Sequence, residues 1–317
     1  MPADPGTRGD RNDPDNRGNH WLRADASIEA ALRNSALLHP GMARLDAQVL
    51  LGHVLGRDRT WLIAHGDEPL PQASRDRYAR LLRRREAGEP IAYLVGHREF
   101  FGHRFAVGPM VLIPRPETEL LVELALEALP EGAHVLELAT GSGAIAISMA
   151  LARPDLAVLA TDISLTALAV AQCNARELGA TIDFAAGDWY EALEPRIAVL
   201  PDPIGSAPPS RTAADHGRFD RIVANPPYIA QQDPHLQRGD LRFEPPGALA
   251  SGADGLDAIR IIIEGAPARL SAGGCLLIEH GYDQGPAVRA LLEAAGLHAV
   301  RSWSDLAGHD RVSTGVR

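Results

Sequence analysis

The sequence predicts an α/β chain: a small helical domain followed by a larger domain built on a parallel sheet. Three observations point there. The segment beginning at Ser27 carries apolar residues at helical spacing. Beyond Pro114, short apolar runs alternate with longer, alanine-rich helical stretches. The first of those runs leads into a glycine-rich turn, Ala139-Thr140-Gly141-Ser142-Gly143.

Each element follows from its residues. Residues 1–22 are rich in Pro, Gly, Asn and Asp and cannot bury apolar surface, so a disordered tail is expected. The helical domain is expected over residues 23–95. Ile28, Leu32 and Leu37 lie roughly on one face until Pro40-Gly41 stops the run. A second helix carries Leu45, Val49 and Leu55 and ends near Gly56. A third, over about residues 73–87, holds Arg75, Arg77, Arg80, Arg83, Arg84 and Arg85. Such a run reads as a contact for an acidic partner or RNA, or as the commoner solvated face.

Residues 96–113 change texture. Glu99-Phe100-Phe101-Gly102-His103-Arg104-Phe105 is aromatic with a glycine near its middle, which predicts a hairpin linking two domains. The second domain is expected over residues 114–317. Its strands are predicted at 134–138, 157–161, 182–185, 221–224 and 275–279, with two more at 299–303 and 312–315. Alternation at this spacing implies a parallel sheet with helices on both faces. Within it, residues 194–217 contain five prolines and no clear period, and read as a surface insertion.

Composition narrows the function. Lys and Arg total 31 against 41 Asp and Glu, a net charge of −10, which argues against gripping nucleic acid by bulk charge. Two cysteines, Cys173 and Cys275, cannot build a disulfide framework, and no Cys/His spacing suggests a zinc site. Apolar runs are too short to span a membrane. The first twenty residues hold no Val, Leu, Ile or aromatic and so do not read as a signal peptide. The cytoplasm is the expected compartment.

The glycine-rich turn can bring backbone close to a ligand, and the helix after it presents free N–H groups. Asp162 ends the next predicted strand, about twenty residues on, where a carboxylate can accept from both ribose hydroxyls. Together they favour a cofactor carrying adenosine. A dinucleotide fold would prefer a third glycine where Ala146 stands. Glu137 inside the strand instead resembles the first motif of class I methyltransferases, whose cofactor is cationic and favours nearby carboxylates. Asp188-Trp189, after the third strand, sits where that family contacts adenine.

Asn225-Pro226-Pro227-Tyr228, after the fourth strand, is the most informative stretch. The prolines fix the backbone and free the carbonyls from ladder bonding. The Asn225 side-chain oxygen and the Pro226 carbonyl can hold both N–H bonds of a planar NH2 group and aim its nitrogen at a methyl donor. Tyr228 offers a flat wall for that group. Alignment is most of such a reaction, so neither a metal nor a covalent nucleophile is required.

With these motifs the chain resembles the bacterial release factor glutamine methyltransferases. The likeness runs from about Asp25 to the C-terminus through Leu45-Asp46-Ala47, the stretch 84–93, and Glu99-Phe100-Phe101-Gly102. It continues through Pro114-Arg115-Pro116-Glu117-Thr118-Glu119, Phe243-Glu244-Pro245, Asp254-Gly255-Leu256 and Asp310-Arg311. The resemblance implies a class I (Rossmann-like) seven-stranded methyltransferase sheet, S-adenosyl-L-methionine as methyl donor, and class I peptide chain release factors as substrate, recognised by the N-terminal helices. No membrane and no direct nucleic-acid partner are expected. Cofactor binding would fall on Glu137, Ala139, Thr140, Gly141, Ser142, Gly143, Asp162, Asp188, Trp189 and Asn225. The substrate amide would meet Asn225, Pro226, Pro227, Tyr228 and Phe100, with Asn225, Pro226 and Tyr228 catalytic.

Two departures matter. Ala139 stands where the family usually has glycine; a positive φ there would cost alanine about 1 kcal/mol. The proline-rich insertion is also longer than usual, and is expected to be a tolerated loop. The alternatives are another planar NH2 substrate (a ribosomal protein glutamine or adenine N6 in DNA) and a non-catalytic scaffold that keeps the cofactor fold.

Overall fold

The computed structural model describes residues 26–38, 42–193 and 217–317. The expected tail, the Pro40-Gly41 stop and all but the last residue of the proline-rich insertion lie outside the described residues. The chain forms two compact units that divide between Val95 and Gly96.

The first unit is helical: α1 (Ile28–Leu38), α2 (Arg44–Leu55), α3 (Arg59–Ala64), α4 (Gln72–Glu86) and α5 (Ile91–Val95). The short α3 and α5 hold too few turns to show a period in sequence. Asp58 starts α3 by accepting from the Trp61 N–H at 2.7 Å. Gly56 ends α2 in the left-handed conformation, φ 64. The buried face of α2 carries Ala47, Leu50 and Leu51, at helical spacing, and leaves Leu45 and Val49 exposed. The arginines of α4 do not share one face. Arg75 is buried and donates to the Leu70 carbonyl, Arg85 pairs with Asp46, and Arg77, Arg80, Arg83 and Arg84 are exposed.

The second unit opens with an antiparallel hairpin, β1 (His97–Phe100) and β2 (His103–Ala106). Phe100 and Phe105 pack edge-to-face at 6.1 Å, within a core that also holds Leu121 and Val122. The hairpin is therefore anchored in this unit rather than being only a linker. After α6 (Glu119–Leu126) come β3 (His134–Leu138), α7 (Ala144–Ala152), β4 (Ala157–Asp162), α8 (Leu165–Leu178), β5 (Asp183–Ala186) and β6 (Phe219–Ala224). The chain ends with α9 (Asp257–Arg269), β7 (Leu270–Glu279), α10 (Gly285–Ala294), β8 (His298–Ser304) and β9 (Asp310–Val316).

The seven strands run in the order β5-β4-β3-β6-β7-β9-β8. The first five in that order are parallel, and β9 is antiparallel to both its neighbours. The sheet is thus mixed, not wholly parallel: only Asp305–His309 separate β8 from β9, too few for the crossover that a parallel pair needs. Helices α6, α7 and α8 pack on one face of the sheet and α9 and α10 on the other. Strand order reverses between β3 and β6, which opens a crevice at the carboxyl ends of the strands.

Candidate active site

The carboxyl ends of five parallel strands deliver the site. Ala139 follows β3, Asp162 ends β4, Gly187-Asp188-Trp189 follow β5, Asn225 follows β6 and Glu279 ends β7. A cavity of about 230 Å³ is lined by Ala139, Gly141, Asp162, Asp188, Trp189, Asn225 and Pro227. Met110–Leu112, Ile163 and Pro245 close it. A smaller cavity of about 60 Å³ lies beside it, lined by Arg115, Asn225, Pro226, Tyr228 and Leu241. Asn225, Leu112 and Ala248 border both.

The larger cavity is shaped by backbone. Ala139 has φ 57 and Gly141 φ 57, so the turn after β3 curls away from helical geometry twice in three residues. A Cβ added at Gly141 meets nothing within 4 Å, so a side chain there would stand in open space at the cavity wall. Trp189 also has a positive φ, 47. Ala139 and Trp189 are two of the five non-glycine residues in that region among those described, and both line this cavity. Strain gathered at one cleft is the pattern of a ligand site.

Two carboxylates hold this end. Asp162 accepts from the Gly141 N–H at 2.9 Å and the Ser164 N–H at 2.8 Å. Burial raises its pKa, opposed by those two bonds and by the Ile163 backbone. Each oxygen keeps capacity for a further hydrogen bond. Glu137 is buried beneath the turn, where one oxygen accepts from both the Thr140 hydroxyl and the Ala146 N–H. Burial pushes its pKa up to about 8.

Not every expected site residue reaches a cavity. Thr140 and Ser142 are buried, and Glu137, Thr140, Ser142 and Gly143 line neither cavity. They shape the turn: Asn174 Nδ2 donates to the Ser142 carbonyl at 2.8 Å, and Gly143, φ 82, leads α7. A Cβ at Gly143 would come within 2.7 Å of Ile147 and 3.1 Å of Ala171. Phe100 is a correction. It is 1% exposed in the core against Phe105, so it cannot pack on a substrate in the cleft.

At the smaller cavity the contacts come from side chains. Asn225 Nδ2 donates to Thr118 Oγ1 at 3.1 Å. The Tyr228 hydroxyl donates to Glu279 Oε1 at 3.4 Å, and burial foremost raises its pKa. Gln284 Nε2 donates to the Tyr228 carbonyl at 3.0 Å. Glu244, buried, accepts from the Ile113 N–H at 3.0 Å and pairs with Arg115, which fixes the segment over both cavities. Sequence reasoning gave no role to Thr118, Glu244 or Glu279. The first two stood inside stretches noted only for resemblance, and Glu279 read as the end of an apolar strand.

Among the described residues, no cluster of His, Cys, Asp or Glu could hold a metal ion, and no helix is long and apolar enough to cross a membrane.

The likenesses to known proteins cover both units. A model described as the PrmC N-terminal domain matches residues 28–96, and one described as the methyltransferase small domain matches residues 116–216. A release factor glutamine methyltransferase of Bordetella pertussis is 52% identical over 286 residues, 90% of this chain and 98% of that protein. One of Burkholderia pseudomallei is 53% identical over 279 residues, 86% of this chain and 91% of that protein. A solved release factor-specific protein-(glutamine-N5) methyltransferase of Alicyclobacillus acidocaldarius is 31% identical, covering 67% of this chain and 99% of that one, with a TM-score of 0.40.

Proposed function

The chain belongs to the release factor glutamine methyltransferase family, and from that membership and its cleft we infer the reaction and the part each residue plays. It transfers a methyl group from S-adenosyl-L-methionine to the side-chain amide nitrogen (N5) of the glutamine in the Gly-Gly-Gln motif of class I peptide chain release factors. The observation that carries the residue assignment is the position of Asn225. It borders both cavities, one sized for a cofactor moiety and the other for a small side-chain group.

The larger cavity fits the cofactor's chemistry. Asp162 accepts from the ribose hydroxyls with the capacity its two backbone bonds leave. Trp189 provides a flat face for the adenine, beside Asp188. The turn from Ala139 to Gly143 lets backbone approach closely, and Glu137 holds that turn from below. When bound, S-adenosylmethionine supplies a methyl group already made electrophilic by its sulfonium.

The smaller cavity takes the glutamine amide. With Nδ2 tied to Thr118, Asn225 turns Oδ1 to the substrate. That oxygen and the Pro226 carbonyl accept the two amide N–H bonds, and Tyr228 packs along the amide plane. Held so, the weak nitrogen lone pair points toward the cofactor side. The remaining task is orientation, which supplies much of the rate. The nitrogen sheds its proton once methylation has made it cationic.

The net charge of −10 supports a protein partner over nucleic acid. A release-factor substrate places the work in the cytoplasm, and the helical first unit, which matches the PrmC N-terminal domain, is the proposed recognition module. The test is mass spectrometry of a recombinant release factor after incubation with this protein and S-adenosylmethionine. A gain of one methyl on the glutamine of Gly-Gly-Gln is expected. No gain, with cofactor binding intact, would direct attention to other planar NH2 substrates.

A further inference from the structure

Beneath the Asn-Pro-Pro-Tyr turn lies a chain of polar side chains that amide binding alone does not explain. Asn225 Nδ2 donates to Thr118 Oγ1. Thr118 is buried, close enough to Glu279 for its hydroxyl to hold that carboxyl's pKa down. The Tyr228 hydroxyl reaches the same carboxylate at Oε1. Glu279 is 0% exposed, and its Oε2 is a buried atom with no hydrogen-bond partner among the described residues. A carboxylate placed this deep beside two site residues is costly unless its contacts serve a purpose.

A side-chain amide has one donor end and one acceptor end, and its neighbours decide which faces the ligand. Asn225 can accept from a substrate NH2 only if its own NH2 is turned away. Thr118 accepts that NH2, so its single hydroxyl proton must point elsewhere. Glu279, whose pKa the Thr118 hydroxyl lowers and whose Oε2 is otherwise unpartnered among the described residues, is the acceptor within its influence. We propose that Glu279 is a positioning residue: through Thr118 it sets the polarity of the Asn225 amide, and directly it anchors Tyr228. This rests on the reading of Asn225 as the amide holder.

The relay has a built-in dependence on charge. A protonated Glu279 can donate to Thr118 and release the Thr118 proton toward Asn225. The Asn225 amide would then turn over and offer its donors to another donor. Burial pushes the Glu279 pKa up to about 7, with Glu117 raising it further and Thr118, Arg311 and Tyr228 holding it down. The adjoining His280 is buried between the Gly281 carbonyl and Ser313, and its pKa is lowered chiefly by desolvation. Arg311 is itself engaged with Asp305 at 2.9 Å. The glutamine amide of the substrate does not titrate near neutrality. Activity should therefore rise with pH through a single step near 7.

The experiment compares Thr118→Val, Thr118→Ser, Glu279→Gln and Asn225→Ala in the full chain. It measures kcat and KM for a release factor, S-adenosylmethionine affinity by calorimetry, and thermal unfolding. Thr118→Val is expected to lower kcat about 100-fold, the scale of a misplaced reacting group, with cofactor affinity within about threefold. Thr118→Ser keeps the hydroxyl and should recover most of that rate. Glu279→Gln should lower kcat and remove the step near pH 7 from the profile. Full activity in Thr118→Val, no recovery in Thr118→Ser, or an unchanged pH step in Glu279→Gln would each overturn the relay. If Glu279→Gln does not fold, the Thr118 pair decides. An active Asn225→Ala would sink the amide-holding reading itself, whereas an inactive Asn225→Ala beside an active Thr118→Val would sink only the relay.

Discussion

At the β3–β5 end of the cleft, curled backbone shapes the cavity wall; at the β6–β7 end, hydrogen-bonded side chains do. Ala139, Gly141 and Trp189 all have positive φ, whereas none of Asn225 to Tyr228 does. The first end is a curled turn braced by two carboxylates, Glu137 buried and Asp162 half-buried. The second is a proline-stiffened segment whose donors and acceptors are set from below. The difference matches the two tasks proposed for these ends. A cofactor offers many atoms and needs close approach over a broad surface. A planar NH2 offers two hydrogens and needs two acceptors in one orientation. Changes at the first end should therefore appear mainly in cofactor affinity, and changes at the second mainly in turnover.

The largest expected effect sharpens that division. Asn225→Ala should lower kcat by roughly 10²–10³, as loss of one preorganised polar contact does, and leave cofactor affinity nearly unchanged. Strong loss of affinity in calorimetry would place the residue at the wrong end. Asp162→Ala is the counterpart. Removing a charged acceptor should weaken S-adenosylmethionine binding by about 1.5–3 kcal/mol, and an unaltered dissociation constant would remove Asp162 from the cofactor site.

Ala139→Gly probes the backbone itself. Relief of the left-handed strain should stabilise the fold by up to about 1 kcal/mol, offset in part by the greater freedom of glycine when unfolded. Thermal unfolding reads this, and a lower melting temperature would mean that the alanine methyl makes contacts worth more than the strain.

The smallest effect concerns Glu137. Its folded pKa of about 8 lies above the unfolded value, so its contribution to stability is full below about 4.5 and is lost as pH rises through 8. Both of its hydrogen bonds converge on one oxygen, so Glu137→Gln can keep them. The variant should lose less stability than the parent between pH 4.5 and 8. Parallel curves from denaturant unfolding at several pH values would show that Glu137 does not titrate in that window.

Much was legible in advance because it is local. The glycine turn, Asp162 and the Asn-Pro-Pro-Tyr segment each stand out within a few residues and do border the cavities, and the apolar runs mark all seven strands, although β7 begins five residues earlier than expected. The failures have a common cause. Phe100 sits two residues before a glycine in an aromatic hairpin, and nothing local tells that its ring turns into the core. Thr118 and Glu279 lie far from Asn225 in sequence, and no spacing rule joins them. Leu45 and Val49 fit a helical face, but Ala47, Leu50 and Leu51 fit another, and packing chose between them.

Sequence by itself determined the α/β class, the turn that follows the first strand of the sheet, the family and the methyl-transfer chemistry, because periodicity and short motifs act within a few residues of chain. Only the tertiary structure decided that the last strand inserts antiparallel between two others, that Ala139 bears a positive φ, and that Asn225 stands between two cavities above Thr118 and Glu279. Those facts depend on burial and on hydrogen bonds between residues distant in the chain, which only folding brings within reach of one another.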